Sequence, residues 1–207
     1  IESRFSVMGG IAFTAIQRVS NAAIDLGKNL LTSVIDPIFS GGKKRALNLE
    51  QAQFQLEGLK IAWDDIKPSI LNAVKGTAFG LDEAARAASQ LAASQVPLDK
   101  MEGSLRAISG TAAMAGSSYD DIANIFVKVA GQGRLMGDDL NRIGVRGLNA
   151  AAALGDAFGK TEGEIRELVT EGKISFEDFA YAMNEAFGDQ AFKANDTFTG
   201  AVSNMRA

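Results

Sequence analysis

Apolar residues in this chain recur at spacings of three and four, and that periodicity restricts its fold more than any other feature. Leu81, Ala84, Ala88 and Leu91 form one row, with Ala85 and Ala92 beside it. Met101, Leu105, Ile108 and Ala112 form another, and Ile122, Ile125, Phe126 and Val129 a third. Each row falls on one face of a helix with 3.6 residues per turn. The strict alternation of Val, Ile, Thr and aromatic residues that a half-buried strand needs is missing, while alanine is abundant. The expected fold class is all-α: a long amphipathic N-terminal helix followed by a compact multi-helix domain. At 207 residues, 46% of them hydrophobic, the chain is long enough to bury about 70% of its unfolded surface.

The same reading divides the chain into three parts: an arm over 1–39, a basic flexible linker over 40–45 and a helical domain over 46–207. Within the arm, 3–36 reads as one helix. Met8, Ala12, Ala15, Val19, Ala22 and Leu26 alternate spacings of four and three, a seam of heptad type suited to another long helix. They are the candidate self-association residues. Asp36-Pro37 is expected to end that helix, because the residue before proline avoids the helical region. Ser40-Gly41-Gly42-Lys43-Lys44-Arg45 then reads as the linker.

In the body, Leu49, Ala52, Leu56 and Leu59 mark a helix, and 64–75 a second in which Pro68 belongs in the first turn. Trp63 reads as a packing anchor between these two. Ser118 with Asp121, Thr161 with Glu164, and Ser175 are expected to start helices. Gly131-Gln132-Gly133 is expected to break one and Gly172 to end one. Asp138–Ile143 and Leu148–Phe158 suit two short helices. Phe176, Phe179, Met183 and Phe187 line a late one, and Asp196 is placed to cap a last one.

Several kinds of chemistry are excluded or disfavoured. The chain has no cysteine and no histidine, so it forms no disulfide, no Cys/His zinc site and no Ser-His-Asp or Cys-His nucleophile. Residues 1–45 carry six basic and three acidic residues, a net +3, which leaves 46–207 at −7. An acidic body does not suit nucleic acid, which needs a basic face. Gly155-Asp156-Ala157-Phe158-Gly159-Lys160-Thr161 has three residues between its glycines where a phosphate-binding loop has four, and it follows a helical pattern. It reads as a helix C-terminal glycine followed by an N-cap threonine. Asp64-Asp65, Asp120-Asp121 and Asp138-Asp139 each sit where a helix should begin, where its dipole favours negative charge. They read as caps and not as metal ligands. No catalytic, cofactor-binding or metal-binding residue is assigned, no cofactor is expected, and the segment is read as not an enzyme. Opening on Ile1, the chain is read as a piece of a longer one. Phe5–Ile16 is too short to span a bilayer, which takes about 20 apolar residues.

Three stretches carry a resemblance. They are Val74–Ala85, then Ile125–Gly147 with its Gly131-Gln132-Gly133-Arg134-Leu135-Met136-Gly137-Asp138-Asp139-Leu140 core, then Glu171–Phe179 followed by Thr197–Ala201. In this order they resemble a domain found toward the N-terminal side of many phage tail tape measure proteins, and the likeness covers roughly 46–207. Leu148-Asn149 departs from it, where relatives carry a proline-containing turn.

The resemblance implies a structural and assembly component of the phage tail. Such proteins form helical rods inside the growing tail tube, set tail length, template tube polymerisation and leave ahead of the DNA. The implied partners are other tape measure copies, tail-tube and tail-tip proteins, tail assembly chaperones and the host membrane during ejection, with no sequence-specific nucleic acid. The implied location is the lumen of the virion tail, and the host cytoplasm during assembly. The alternatives are a membrane-active segment that helps DNA cross the host envelope, tested by liposome leakage, and a cell-wall hydrolase module, tested by a zymogram.

Overall fold

The computed structural model describes residues 36–195. The chain divides into two compact units, Ile1–Ala46 and Leu47–Ala207. Of the first, the described part is the beginning of helix α1 (Asp36–Gly58). The arm helix expected over 3–36 and the seam from Met8 to Leu26 lie outside the described residues.

Helix runs through 40–45, where the sequence reading places a flexible linker, and Pro37 lies within it. Proline restricts the residue before it and not those that follow. Gly41 and Gly42 each cost a helix about 1 kcal/mol, and the good helix formers from Lys43 to Leu49 offset that.

The second unit continues with α2 (Trp63–Val74), α3 (Leu81–Ala93), α4 (Leu98–Ala115), α5 (Tyr119–Gln132), α6 (Gly137–Gly144), α7 (Ala150–Phe158), α8 (Glu162–Thr170), α9 (Phe176–Phe187) and α10 (Gln190–Asn195). Among the described residues there is no strand, only an isolated bridge between Arg134 and Ser175. There Leu135 N–H donates to the Ile174 carbonyl at 2.9 Å, tying the turn after α5 to the turn before α9. The fold class of the described residues is all-α, as the periodicity predicts.

Helix α4 is the hub, packing against α2, α3, α5, α9 and α10. Its row Met101, Leu105, Ile108 and Ala112 is buried. So are Ala84, Ala88 and Leu91 of α3, and Ile122, Ile125, Phe126 and Val129 of α5. Phe126 meets Phe179 of α9 with ring centroids 4.7 Å apart. The contact of α4 with α9 is very close: a Cβ built at Gly110 would overlap the carbonyl oxygen of Phe187. Glycine there removes the side chain that would hold two backbones apart.

The expected helix starts are largely as read. Side-chain oxygens of Ser118, Thr161 and Ser175 accept from the backbone N–H groups of Asp121, Glu164 and Asp178. Asn149 does the same for α7 with Ala152, so that helix begins later than Leu148. Helix α5 continues through Gly131 to Gln132, and the left-handed Gly133 (φ 69°) ends it. Pro68 is a correction: α2 begins at Trp63, so the proline stands in its second turn. It forgoes the bond to the carbonyl of Asp64, and both residues are exposed, which lowers the cost of the missing bond. The half-buried Trp63 packs on the core from the first position of α2. Helix α10 precedes Asp196, which lies outside the described residues.

Candidate functional site

The acidic pairs sit in first turns, as expected: Asp64 and Asp65 in α2, Asp120 and Asp121 in α5, Asp138 and Asp139 in α6. Two of them also do more than cap. Asp139 is fully buried, and its carboxylate accepts from Lys128 Nζ at 2.8 Å and from the Met136 N–H at 3.2 Å. The cap is present, and beyond it Asp139 ties α6 to α5 through a partly buried ion pair. Asp120 pairs with Arg86, joining α5 to α3. Among the described residues no group of three or more acidic side chains is arranged to hold a metal ion.

Gly155 to Thr161 behaves as the turn it resembles. Gly159 is left-handed (φ 64°) and ends α7. Thr161 opens α8 in a reciprocal box, its N–H donating to Glu164 at 2.8 Å. That bond and the Thr161 hydroxyl hold the Glu164 carboxyl below its usual range.

The α3–α4–α5 junction carries further titratable groups, the buried Tyr119 and the half-buried Glu83. Tyr119 is buried, its ring set edge-on to Phe79 with centroids 5.4 Å apart and its hydroxyl directed at the Leu105 carbonyl. Burial pushes its phenol well above the usual range. Glu83 accepts the Gly80 N–H at 2.9 Å. Burial raises its carboxyl, and neighbouring Asp120 and Asp82 raise it further. These groups cap a helix and fill the core.

Several grooves open on the surface, two of them against α9. One of about 650 Å³ lies between the ends of α3 and α5 and the start of α9, bounded by Gln95, Gly133 and Phe176. The other, of about 310 Å³, lies between α4 and α9 and is lined by Asp99, Lys100, Glu177 and Asp178, among others. Asp178 is engaged, accepting from both the N–H and the hydroxyl of Ser175. At the middle of α4, Arg106 donates to Asp189 at 2.6 Å and lies 5.3 Å from the ring centroid of Phe192, holding α10 down. No described helix is long and apolar enough to cross a membrane.

What remains conspicuous is the exterior. Leu47 and Phe54 project from α1 at 54% and 76% exposure, and Val145, just after α6, at 83%. Phe158 and Tyr181 meet across α7 and α9 at 6.3 Å. The described residues thus present contact surfaces and open grooves. Helical periodicity missed the exposed residues, because it reports the face that is buried.

One family profile, described as "Tape measure protein", matches residues 61–207. No individual curated protein and no solved structure matches the chain.

Proposed function

The chain belongs to the tape measure protein family, and from that premise we propose that it takes part in setting tail length. The family is a structural one of the phage virion tail and not an enzyme family. In the proposed role the protein lies in the lumen of the tail tube, templates polymerisation of the tube subunits and leaves ahead of the DNA. The observation that carries the reading is the family match over 61–207. Tail-tube and tail-tip proteins and assembly chaperones are its proposed partners, met in the host cytoplasm during assembly.

The role has a direct test in a phage carrying the protein. Helical heptads inserted in frame between Lys28 and Asn29 should lengthen tails by about 1.5 Å per added residue, the rise of an α-helix. Tails of unchanged length in electron micrographs would overturn the ruler role without touching family membership.

The arm is proposed to bundle copies through Met8, Ala12, Ala15, Val19, Ala22 and Leu26, because an apolar heptad seam gains little on an isolated solvated helix. Val19→Asp with Leu26→Asp should lower the mass seen by light scattering and leave the body folded. A wild-type chain that is monomeric at tens of micromolar would sink this part.

A further inference from the structure

Two surfaces of the second unit complement each other. The two most exposed large apolar side chains among the described residues are Val145, at 83%, and Phe54, at 76%. Each sits among charges of a single sign. Val145 follows the last residue of α6, between Arg142 in the final turn and Arg146. The Arg146 guanidinium donates to the Arg142 carbonyl at 2.7 Å, which keeps the two arginines together at one tip. Phe54 lies on α1 between Glu50 and Glu57, four and three residues away. That spacing puts all three on one face, turned away from the buried Ala52 and Leu56.

The charges at both places have no ion-pair partner among the described residues. Arg86, Arg106 and Arg166 each face a carboxylate. Arg142 and Arg146 face none among the described residues, and Glu50 and Glu57 face no cation there. A single exposed apolar side chain is ordinary on a protein surface; what sets these two apart is that each stands beside two charges without a partner among the described residues, and that the two sets are opposite in sign. Val145 and Phe54 both remain open, so neither covers the other within one copy, and a contact between them is intermolecular.

We propose that the Arg142–Val145–Arg146 tip of one copy docks on the Glu50–Phe54–Glu57 stripe of a second copy. Arginine supplies a planar fork that fits carboxylate oxygens two at a time, and the two apolar side chains leave water together. The two patches differ, so the contact is heterologous: a docked pair still offers one free tip and one free stripe, and further copies add head to tail until the series closes into a ring or runs on. The footprint is small and charged, so the association is weak and falls as salt screens it. It rests neither on the arm seam nor on the ruler role.

Charge reversal tests it. One variant carries Arg142→Glu with Arg146→Glu, the other Glu50→Arg with Glu57→Arg, both at surface positions where circular dichroism should report an unchanged fold. In sedimentation at low salt each variant alone should associate at least about tenfold more weakly than wild type, the size of losing close charge pairs. An equimolar mixture should recover association to within about threefold of wild type, because each reversed patch then meets its complement. A mixture no more associated than its components overturns the proposal. So do reversals that leave association unchanged, the result expected if the arm alone joins the copies, and a wild-type chain that stays monomeric.

Discussion

Helices α2, α3, α4, α5 and α9 and the shorter α6, α7 and α8 are held by different means. Around α4 the long helices approach through small residues, with Ala84, Ala88 and Ala112 buried and Gly110 lying against the Phe187 carbonyl. Cohesion there is close packing, many weak contacts, with no room for a side chain at Gly110. Helix α6 spans 8 residues and α7 and α8 span 9 each, too few to carry a long apolar stripe. They depend more on ends and charges: the Asn149 and Thr161 caps, and the buried Asp139 under Lys128. A helical unit of this kind therefore has two types of weak point, steric in one region and polar in the other.

The comparison breaks most sharply at Gly110. Gly110→Val puts a branched side chain against a backbone carbonyl, and backbone cannot rotate away. The expected loss is on the order of 4 kcal/mol, the upper end of single-residue effects, read as a fall in the denaturant midpoint. A loss under about 1 kcal/mol would mean that α4 and α9 can separate cheaply, and that packing around α4 is looser than described. Lys128→Met tests the other region. It strands the Asp139 carboxylate without its cation, with an expected loss of about 3 kcal/mol. Lys128→Met with Asp139→Asn should recover part of it. If both variants melt alike, the pair does not tie α6 to α5.

Smaller effects sharpen the contrast. Thr161→Ala removes the cap of a short helix and Ser175→Ala that of a longer one. Each should lose about 1 kcal/mol globally, but hydrogen exchange should show local opening only in α8. Equal local opening in α9 would erase the distinction between the regions. The smallest effect is a pH dependence at Glu83. Its folded-state pKa lies above the ordinary 4.5 because burial penalises the charged form. Its favourable contribution is therefore complete below the unfolded value and is lost as pH rises through the folded one. Glu83→Gln should flatten the decline in stability from about pH 4.5 upward. A variant whose pH profile parallels wild type over that range would remove Glu83 from the account.

The long helices were legible in the sequence because a buried face repeats every three or four residues, as Met101, Leu105, Ile108 and Ala112 do. Ser118, Thr161 and Ser175 were legible because their caps are local. Periodicity does not say how close the facing helix comes, so Gly110 passed unremarked, though a glycine between Ser109 and Thr111 in mid-helix was the available signal. By its place in a first turn Asp139 reads as an end charge. Its spacing of four from the buried Ile143 puts it on the same face, and that was the sign that it goes inside with a partner. The continuity of α1 through Gly41 and Gly42 was missed because both are weak helix formers and the segment has no apolar stripe of its own. The unpaired tip at Arg142 and Arg146 could not be read at all, since pairing is decided by tertiary neighbours.

The hub position of α4 bears on how the protein is made. Its ties reach forward: Arg106 waits for Asp189, 83 residues later in the chain. At about 5–20 residues per second, translation takes on the order of ten seconds to supply that partner. During that interval the apolar face of α4 is outside the ribosome before α9 and α10 exist to cover it, and such a face invites aggregation. The nascent chain must be shielded or collapse onto α2, α3 and α5 first, and the unit closes only when its last helices emerge.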